Sequence, residues 1–195
     1  VLAFAQIARE GLGSGRGRAK LETVDQLRLD GAIAATVYTE DRFLAGDPPQ
    51  PLSVSLDPGG KAVDRIRVRF VTPTELKSAG GVAARPDFQT LFGRVRDRIS
   101  ALRALYGAGP LEIDFRGMGE RAAAVRMVRC ELRRVESVRR SSKTEQTHPL
   151  SGFTGEAEYE GDLAEFLPYL EAARWTGVGR QTVWGKGVIE VEAIG

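Results

Sequence analysis

The sequence predicts an α+β fold: a βαββαβ unit over residues 61–195, preceded over residues 1–60 by the end of a second, similar unit and a linker. Three observations carry this prediction. Apolar and charged residues alternate, with the two-residue period of a half-buried strand, at 64–70, 126–138, 152–160 and 188–194. Between these runs lie two segments whose apolar residues recur every three or four positions, the period of an amphipathic helix. The order helix, Gly-apolar-Gly loop with cations, strand occurs twice, around 11–18 and 177–187, as it would in two related domains.

Residues 1–10 read as the end of a helix carrying Leu2, Phe4, Ile7 and Ala8, so the sequence is expected to start inside an N-terminally truncated domain. The loop 11–18 follows, and 19–29 reads as a strand. From Thr39 to Gly60 the composition turns to Asp, Pro and Gly, which favour turns and linkers. A short strand is expected at 53–56 and the domain boundary near Gly60.

From Asp64, Arg65, Arg67 and Arg69 alternate with Ile66, Val68 and Phe70; Pro73 and the Gly80-Gly81 pair are expected to stop this strand. The best amphipathic helix spans 87–106, with Phe88, Leu91, Phe92, Val95, Ile99, Leu102 and Leu105 on one stripe, Asp87 as N-cap, and 107–110 as its stop. A Gly-rich turn is expected at 116–119. In the strand 126–138, Val128, Cys130 and Leu132 share one face and Arg129, Glu131 and Arg133 the other.

The strand 152–160 sets Phe153, Ala157 and Tyr159 opposite Glu156, Glu158 and Glu160. Pairing it with 126–138 puts an arginine-bearing strand beside a glutamate-bearing one, which fixes register through cross-strand charge pairs. Asp162 and Glu165 resemble a capping box for a helix burying Leu163, Phe166, Leu167 and Leu170, which Pro168 should kink. The strand 188–194 completes a ferredoxin-like order: one antiparallel sheet, both helices on one face, the other face free to bind.

With 42% hydrophobic and 28% charged residues, the chain reads as an ordinary globular protein. No apolar run reaches the roughly 18 residues a membrane span needs, and 1–10 lacks a signal-peptide pattern, so a cytoplasmic location is expected. The lone cysteine, Cys130, and the single histidine, His148, exclude an internal disulfide and a structural zinc cluster. No metal and no cofactor are expected. Net charge is only +2, but arginine supplies 23 of 28 cations. Arginine pairs with phosphate in a bidentate fork and stacks on bases; a GC-rich coding bias produces the same excess.

Two segments and one residue carry candidate chemistry. The run 177–187 packs four glycines, Arg180, Lys186 and Trp184 into eleven residues. It precedes a strand and lacks Gly-Lys-Ser/Thr, so it is not a phosphate-binding P-loop. It reads either as a tight helix-to-strand connection or as a grip on single-stranded nucleic acid through Gly177, Gly179, Arg180, Gly185, Lys186 and Gly187. Residues 116–143 hold nine cations against three acids. This is either a solvated face or a polyanion footprint built on Arg129, Arg133, Arg139 and Arg140. His148 lies in a polar loop and suits general acid–base work as a catalytic residue, or is simply solvated. Cys130, Tyr169 and Trp175 read as packing residues.

The run Gly177-Val-Gly-Arg-Gln-Thr-Val-Trp-Gly-Lys-Gly187 resembles the C-terminal glycine-rich loop of the RAMP superfamily of CRISPR-associated proteins. Arg69-Phe-Val-Thr-Pro-Thr-Glu-Leu-Lys77, the Asp87-Phe…Arg98…Leu102…Tyr106-Gly107 helix and Gly152-Phe-Thr-Gly-Glu-Ala-Glu-Tyr-Glu-Gly-Asp-Leu163…Phe166-Leu-Pro168 are similar to the branch that processes precursor CRISPR RNA. The resemblance covers residues 64–195, and the loop 11–18 more weakly. It implies two ferredoxin-like domains, RNA as the main partner with other CRISPR-associated proteins or a second copy besides, and metal-independent cleavage by the RNA 2′-hydroxyl. The family's general base is commonly a histidine of the N-terminal domain, and none matches here. Where many relatives carry a histidine just before the C-terminal loop, this chain has Thr176. The resemblance thus leaves two alternatives open, an endoribonuclease and a catalytically silent RNA-binding subunit, beside a ferredoxin-like interaction domain that binds no nucleic acid.

Overall fold

The computed structural model describes residues 1–13, 15–44, 50–60, 62–78, 81–107, 109–140 and 145–194, with backbone alone at 139, 140, 148 and 149. These residues form two compact units, Val1–Val54 and Ser55–Gly195. The division falls inside the Asp-, Pro- and Gly-rich stretch.

In the first unit, helix α1 (Leu2–Glu10) leads through the 11–18 loop into a three-stranded antiparallel sheet of β1 (Thr23–Leu27), β2 (Ile33–Thr39) and β3 (Arg42–Phe43). Ala5, Ala8, Val37 and Tyr38 are buried. Asp41 ties the β2–β3 turn to α1 by accepting from Arg9 at 2.7 Å and from the Tyr38 hydroxyl at 3.1 Å. The strand expected at 53–56 is absent: these residues have no regular secondary structure and pair with no strand among the described residues.

The second unit is ferredoxin-like. In chain order it has β4 (Arg65–Thr74), a small hairpin of β5 (Lys77–Ser78) and β6 (Gly81–Val82), α2 (Phe88–Tyr106), α3 (Phe115–Ala124) and β7 (Arg126–Val135). A ribbon of β8 (Val138–Arg140) and β9 (Thr147–Pro149) follows, then β10 (Gly152–Glu160), α4 (Leu167–Thr176) and β11 (Ile189–Ala193). The main sheet is antiparallel throughout, in the order β11-β4-β10-β7.

Period-2 patterning sets its inner face. Ile66, Val68, Phe70, Ala157, Tyr159 and Ile189 are buried against Phe88, Leu91, Phe92, Val95 and Ile99 of α2 and Leu170 and Ala173 of α4. Aromatic rings knit the layers: Phe92 meets Phe166 at 4.6 Å between centroids and Phe88 meets Tyr159 at 5.2 Å, both edge-on. Such pairs contribute about 0.5–1.5 kcal/mol beyond area burial. The buried Tyr159 hydroxyl donates to the Pro86 carbonyl at 2.7 Å.

Four expectations need correction. The segment 116–119 is not a turn but the first half of α3. The Asp114 side chain caps it by accepting from the Gly117 N–H at 2.8 Å, and Met118 and Ala122, four apart, are buried; cap and burial outweigh a glycine cost of about 1 kcal/mol each. Pro168 does not kink α4. It occupies the first turn, where a missing N–H is harmless, and Glu165 pairs with Arg121 at 2.6 Å instead of capping. Val128 is exposed and does not share the half-buried face of Cys130 and Leu132. A bulge between Glu158 and Tyr159 sets Tyr159 opposite Met127 and Glu158 opposite Arg129, so the extra residue Val128 turns outward. Pro73 does not end β4, which runs on to Thr74. The pairing with β10 is already irregular there, and β11 reaches only Phe70, so the absent N–H breaks no ladder.

Candidate functional site

The strand directions gather three projections at one end of the sheet. β4 and β7 finish there, while β10 and β11 begin there. The β5–β6 hairpin after β4, the β8–β9 ribbon between β7 and β10, and the 177–187 loop before β11 therefore all leave the sheet at that end. In the ribbon, Arg139 stands opposite His148 and Arg140 opposite Thr147. The side chains of Arg139, Arg140 and His148 lie outside the described residues.

The glycine loop is pinched by its own backbone. The Val178 N–H donates to the Gly187 carbonyl at 2.8 Å, the Gly187 N–H to the Pro73 carbonyl at 3.2 Å, and the Arg180 N–H to the Glu75 carbonyl at 3.0 Å. Gly179 and Gly187 lie at positive φ with neighbouring backbone where a Cβ would stand, Glu75 for the first and Val178 for the second, so only glycine fits. Gly185 faces open space. Between the pinch points, residues 182–184 form one 3₁₀ turn that carries Val183 outward, 84% exposed.

Glu75 organises the cations of the loop. Its carboxylate accepts from Arg180 at 2.6 Å and stands 3.6 Å from the Lys186 ammonium. Lys186 is buried, its side chain 3% exposed, and donates to the Ser151 carbonyl at 2.7 Å and the Gln181 side-chain oxygen at 2.9 Å. The two predicted loop cations thus differ. Lys186 fastens the loop to the start of β10, while Arg180 keeps half of its surface in solvent.

Beside the loop runs a groove of about 360 Å³. Its wall is apolar (Ala101, Leu102, Leu105), and Lys77, Arg94, Arg98 and Arg180 rim it. The acids near these four cations are Asp97, 3.7 Å from Arg94, and Glu75 behind Arg180. Arg98 donates to the Thr176 carbonyl at 2.6 Å, closing the C-terminus of α4 where a cation is favoured by the helix dipole. Cations over an apolar wall beside bare glycine backbone form a surface that can take phosphates and an unstacked base.

The open sheet face differs in character. Six arginines (65, 67, 69, 126, 129, 133) meet six glutamates (131, 156, 158, 160, 190, 192), so the strand residues of this face carry no net charge. Glu158, its side chain 4% exposed, sits at the centre with Arg65 at 2.7 Å, Arg67 at 3.1 Å and Arg129 at 3.3 Å. The Arg65 hydrogen bond leads in holding its carboxyl below the usual carboxylate range, against the opposing effect of burial. A depressed folded-state pKa stabilises the fold above the unfolded value, and this stabilisation disappears as pH falls through the folded one. Urea-unfolding midpoints of the wild type and Glu158→Gln, read by circular dichroism at a series of pH values, are accordingly expected to converge as pH drops below the ordinary carboxylate range.

The structure brings Gly177, Gly179, Arg180, Gly185, Lys186 and Gly187 together in one loop. It places Arg129 on the edge strand β7, bonded to Glu131 and Glu158, and Arg133 toward the loop end of that strand, 3.3 Å from the Thr154 hydroxyl. Sequence reasoning singled out none of Glu75, Lys77, Arg94 and Arg98 as site residues. Glu75 and Lys77 flank Leu76 in the quoted Thr-Pro-Thr-Glu-Leu-Lys run, and Arg94 and Arg98 are one helical turn apart on α2. That spacing was a usable signal.

A model of the family described as CRISPR-associated endoribonuclease Cas6 matches residues 68–189. Among solved structures, Thermus thermophilus Cas6 (TTHB231) is similar with a TM-score of 0.52 at 22% identity, over 68% of this chain and 55% of that one. The product complex of Cas6 (TTHB231) gives 0.50 at 22% identity, over 67% and 52%, and the substrate mimic complex of Cas6 (TTHA0078) gives 0.48 at 24% identity, over 68% and 55%. The chain thus covers about half the length of the proteins it matches. A comparison with curated proteins finds no match. The likeness to the two TTHB231 structures is one of fold and agrees with the βαββαβ sheet; the family match spans most of the second unit, and the chain belongs to the CRISPR-associated endoribonuclease Cas6 family.

Proposed function

We propose that this chain binds the repeat RNA of a CRISPR transcript and takes part in cutting it into guide RNAs. One observation carries the reading: the groove between α2, the β5–β6 hairpin and the glycine loop, where Lys77, Arg94, Arg98 and Arg180 surround an apolar wall. Phosphates pair with the rim, and a base splayed from the strand lies on Ala101, Leu102 and Leu105. The neutral sheet face contributes little to phosphate binding. Lys186 and the glycines act by holding the loop in place, and Arg133, Arg139 and Arg140 extend the contact along the same end of the sheet. Further CRISPR-associated proteins or a second copy of the chain are its partners beyond RNA, in the cytoplasm.

Cleavage of this type needs no metal. The 2′-oxygen bonds to the adjacent phosphorus, the bond to the next nucleotide's 5′-oxygen breaks, and a 2′,3′-cyclic phosphate and a 5′-hydroxyl remain. A base must take the 2′-hydroxyl proton and an acid must protonate the leaving oxygen. His148 is the candidate base, carried by the ribbon that leaves the same end of the sheet, with Arg139 opposite it in register. A second reading is a guide-RNA-binding subunit that does not cut. It is favoured by Thr176, where the loop's first flank offers a hydroxyl bonded to the Gly177 carbonyl at 3.3 Å and no imidazole.

Incubating end-labelled repeat RNA with the protein in EDTA separates the two. Cutting at one position, with a cyclic phosphate end and a loss of at least about a hundredfold in rate for His148→Ala, is the expected result. Salt-sensitive retention without cutting selects the second reading. No retention at low salt removes both.

A further inference from the structure

We infer that the 11–18 loop of the first unit is a second, independent grip on the phosphate backbone of single-stranded RNA, made by Arg16 and Arg18. The inference rests on the reading of the chain as an RNA binder and adds a site that the 177–187 groove does not include.

The backbone of this loop repeats the pinch of the loop described above. Each helix ends on a glycine at positive φ, Gly11 or Gly177, whose N–H returns to the carbonyl four residues back, Ile7 or Ala173. The next residue, Leu12 or Val178, donates at 2.8 Å to the carbonyl of a later glycine, Gly17 or Gly187. A second glycine at positive φ, Gly13 or Gly179, follows in both. Gly11 must be glycine, since a Cβ there would stand 2.6 Å from the Arg16 carbonyl oxygen. In contrast to Gly179 and Gly187, Gly13 and Gly15 face open space, so the backbone at these two positions is open to an approaching strand.

Charge makes the second argument. The other arginines of this unit are all paired: Arg9 with Asp41 at 2.7 Å, Arg28 with Asp30 at 3.4 Å, Arg42 with Glu40 at 3.7 Å. Arg16 and Arg18 are exposed and have no carboxylate within 4 Å among the described residues. No acid occurs between Gly11 and Leu21. Lys20 lies in the field of Asp41, which already holds Arg9 and the Tyr38 hydroxyl. Arg16 itself has φ 47°, a conformation L residues disfavour, and is exposed. Two unneutralised guanidinium groups on an open glycine backbone fit the phosphates of one extended strand, where arginine binds by a bidentate fork.

The test is binding of a fluorescein-labelled oligouridylate to the full chain as salt is varied. Each phosphate contact on a single strand contributes about 0.7 to the slope of log affinity against log salt. Arg16→Gln with Arg18→Gln should lower the slope by about 1.4 and weaken binding on the order of 25-fold at about 0.1 M salt. Arg16→Lys with Arg18→Lys should keep most of the slope, and Arg28→Gln with Arg42→Gln should leave it unchanged. Circular dichroism shows each variant folded before it is scored. If the Arg16/Arg18 glutamine variant binds like the wild type while Arg180→Gln is weakened, this inference is wrong and the groove reading stands. Weakening by the first and not by Arg180→Gln leaves the inference and removes the groove; no effect of either removes both.

Discussion

Replacing Lys186 by methionine is expected to destabilise the protein by about 3 kcal/mol and to weaken RNA binding in parallel. The ammonium is buried and makes two hydrogen bonds, one to the Ser151 carbonyl and one to Gln181, beside the Glu75 carboxylate. Methionine keeps the length of the side chain and its apolar contacts but leaves both acceptors without this donor, and a buried acceptor so abandoned costs about 1–3 kcal/mol. Glu75 also loses one of its two cations, so Arg180 is held less firmly. Denaturant unfolding with an unchanged m-value measures the first effect. A loss below about 1 kcal/mol would mean that the ammonium is not fastened as described.

The larger functional effect is expected from the groove. Lys77→Gln, Arg94→Gln and Arg180→Gln together remove three of its four cations while sparing Arg98, which closes α4. On a single strand, three lost phosphate contacts lower the salt slope by about 2 and the affinity on the order of 100-fold at about 0.1 M salt. These three side chains are solvent-facing at least in part, and their ion pairs, Arg94 with Asp97 and Arg180 with Glu75, each contribute about 0–1 kcal/mol at such a surface. The variant should therefore stay folded, and its lost affinity would report on contact with RNA.

Much of the second unit was legible because its strands obey a strict period. Arg65 to Phe70 alternates without exception, and the pairing of arginine-bearing β7 with glutamate-bearing β10 appears in the structure as Arg126 with Glu160 and Arg129 with Glu158. The misreadings arose where local chemistry competes with tertiary placement. Two glycines hid α3, although Asp114 and the Met118–Ala122 spacing were present. Pro168 has opposite meanings at the start and in the middle of a helix, and the periodicity alone gave a start four residues too early.

For the site, the loop was visible as a sequence motif and its partner was not. Glu75 lies 105 residues before Arg180, and nothing local shows that one carboxylate gathers both loop cations. Part of the arginine surplus in 116–143 is neutralised by acids later in the chain: Arg121 pairs with Glu165, Arg126 with Glu160 and Arg129 with Glu158. A local charge count misses cross-strand partners, whereas a register assignment would have found them.

RNA lying in the groove and RNA lying on the sheet face make opposite predictions for salt dependence. The most direct measurement compares the salt slope of repeat-RNA binding for the groove triple variant with that of a sheet variant carrying Arg69→Gln, Glu190→Gln, Arg126→Gln and Glu160→Gln, which removes two arginines at constant net charge. RNA in the groove gives a slope lower by about 2 for the groove variant and unchanged for the sheet variant. An unchanged slope for the groove variant, with a loss of about 1.4 for the sheet variant, would place the RNA on the sheet face instead.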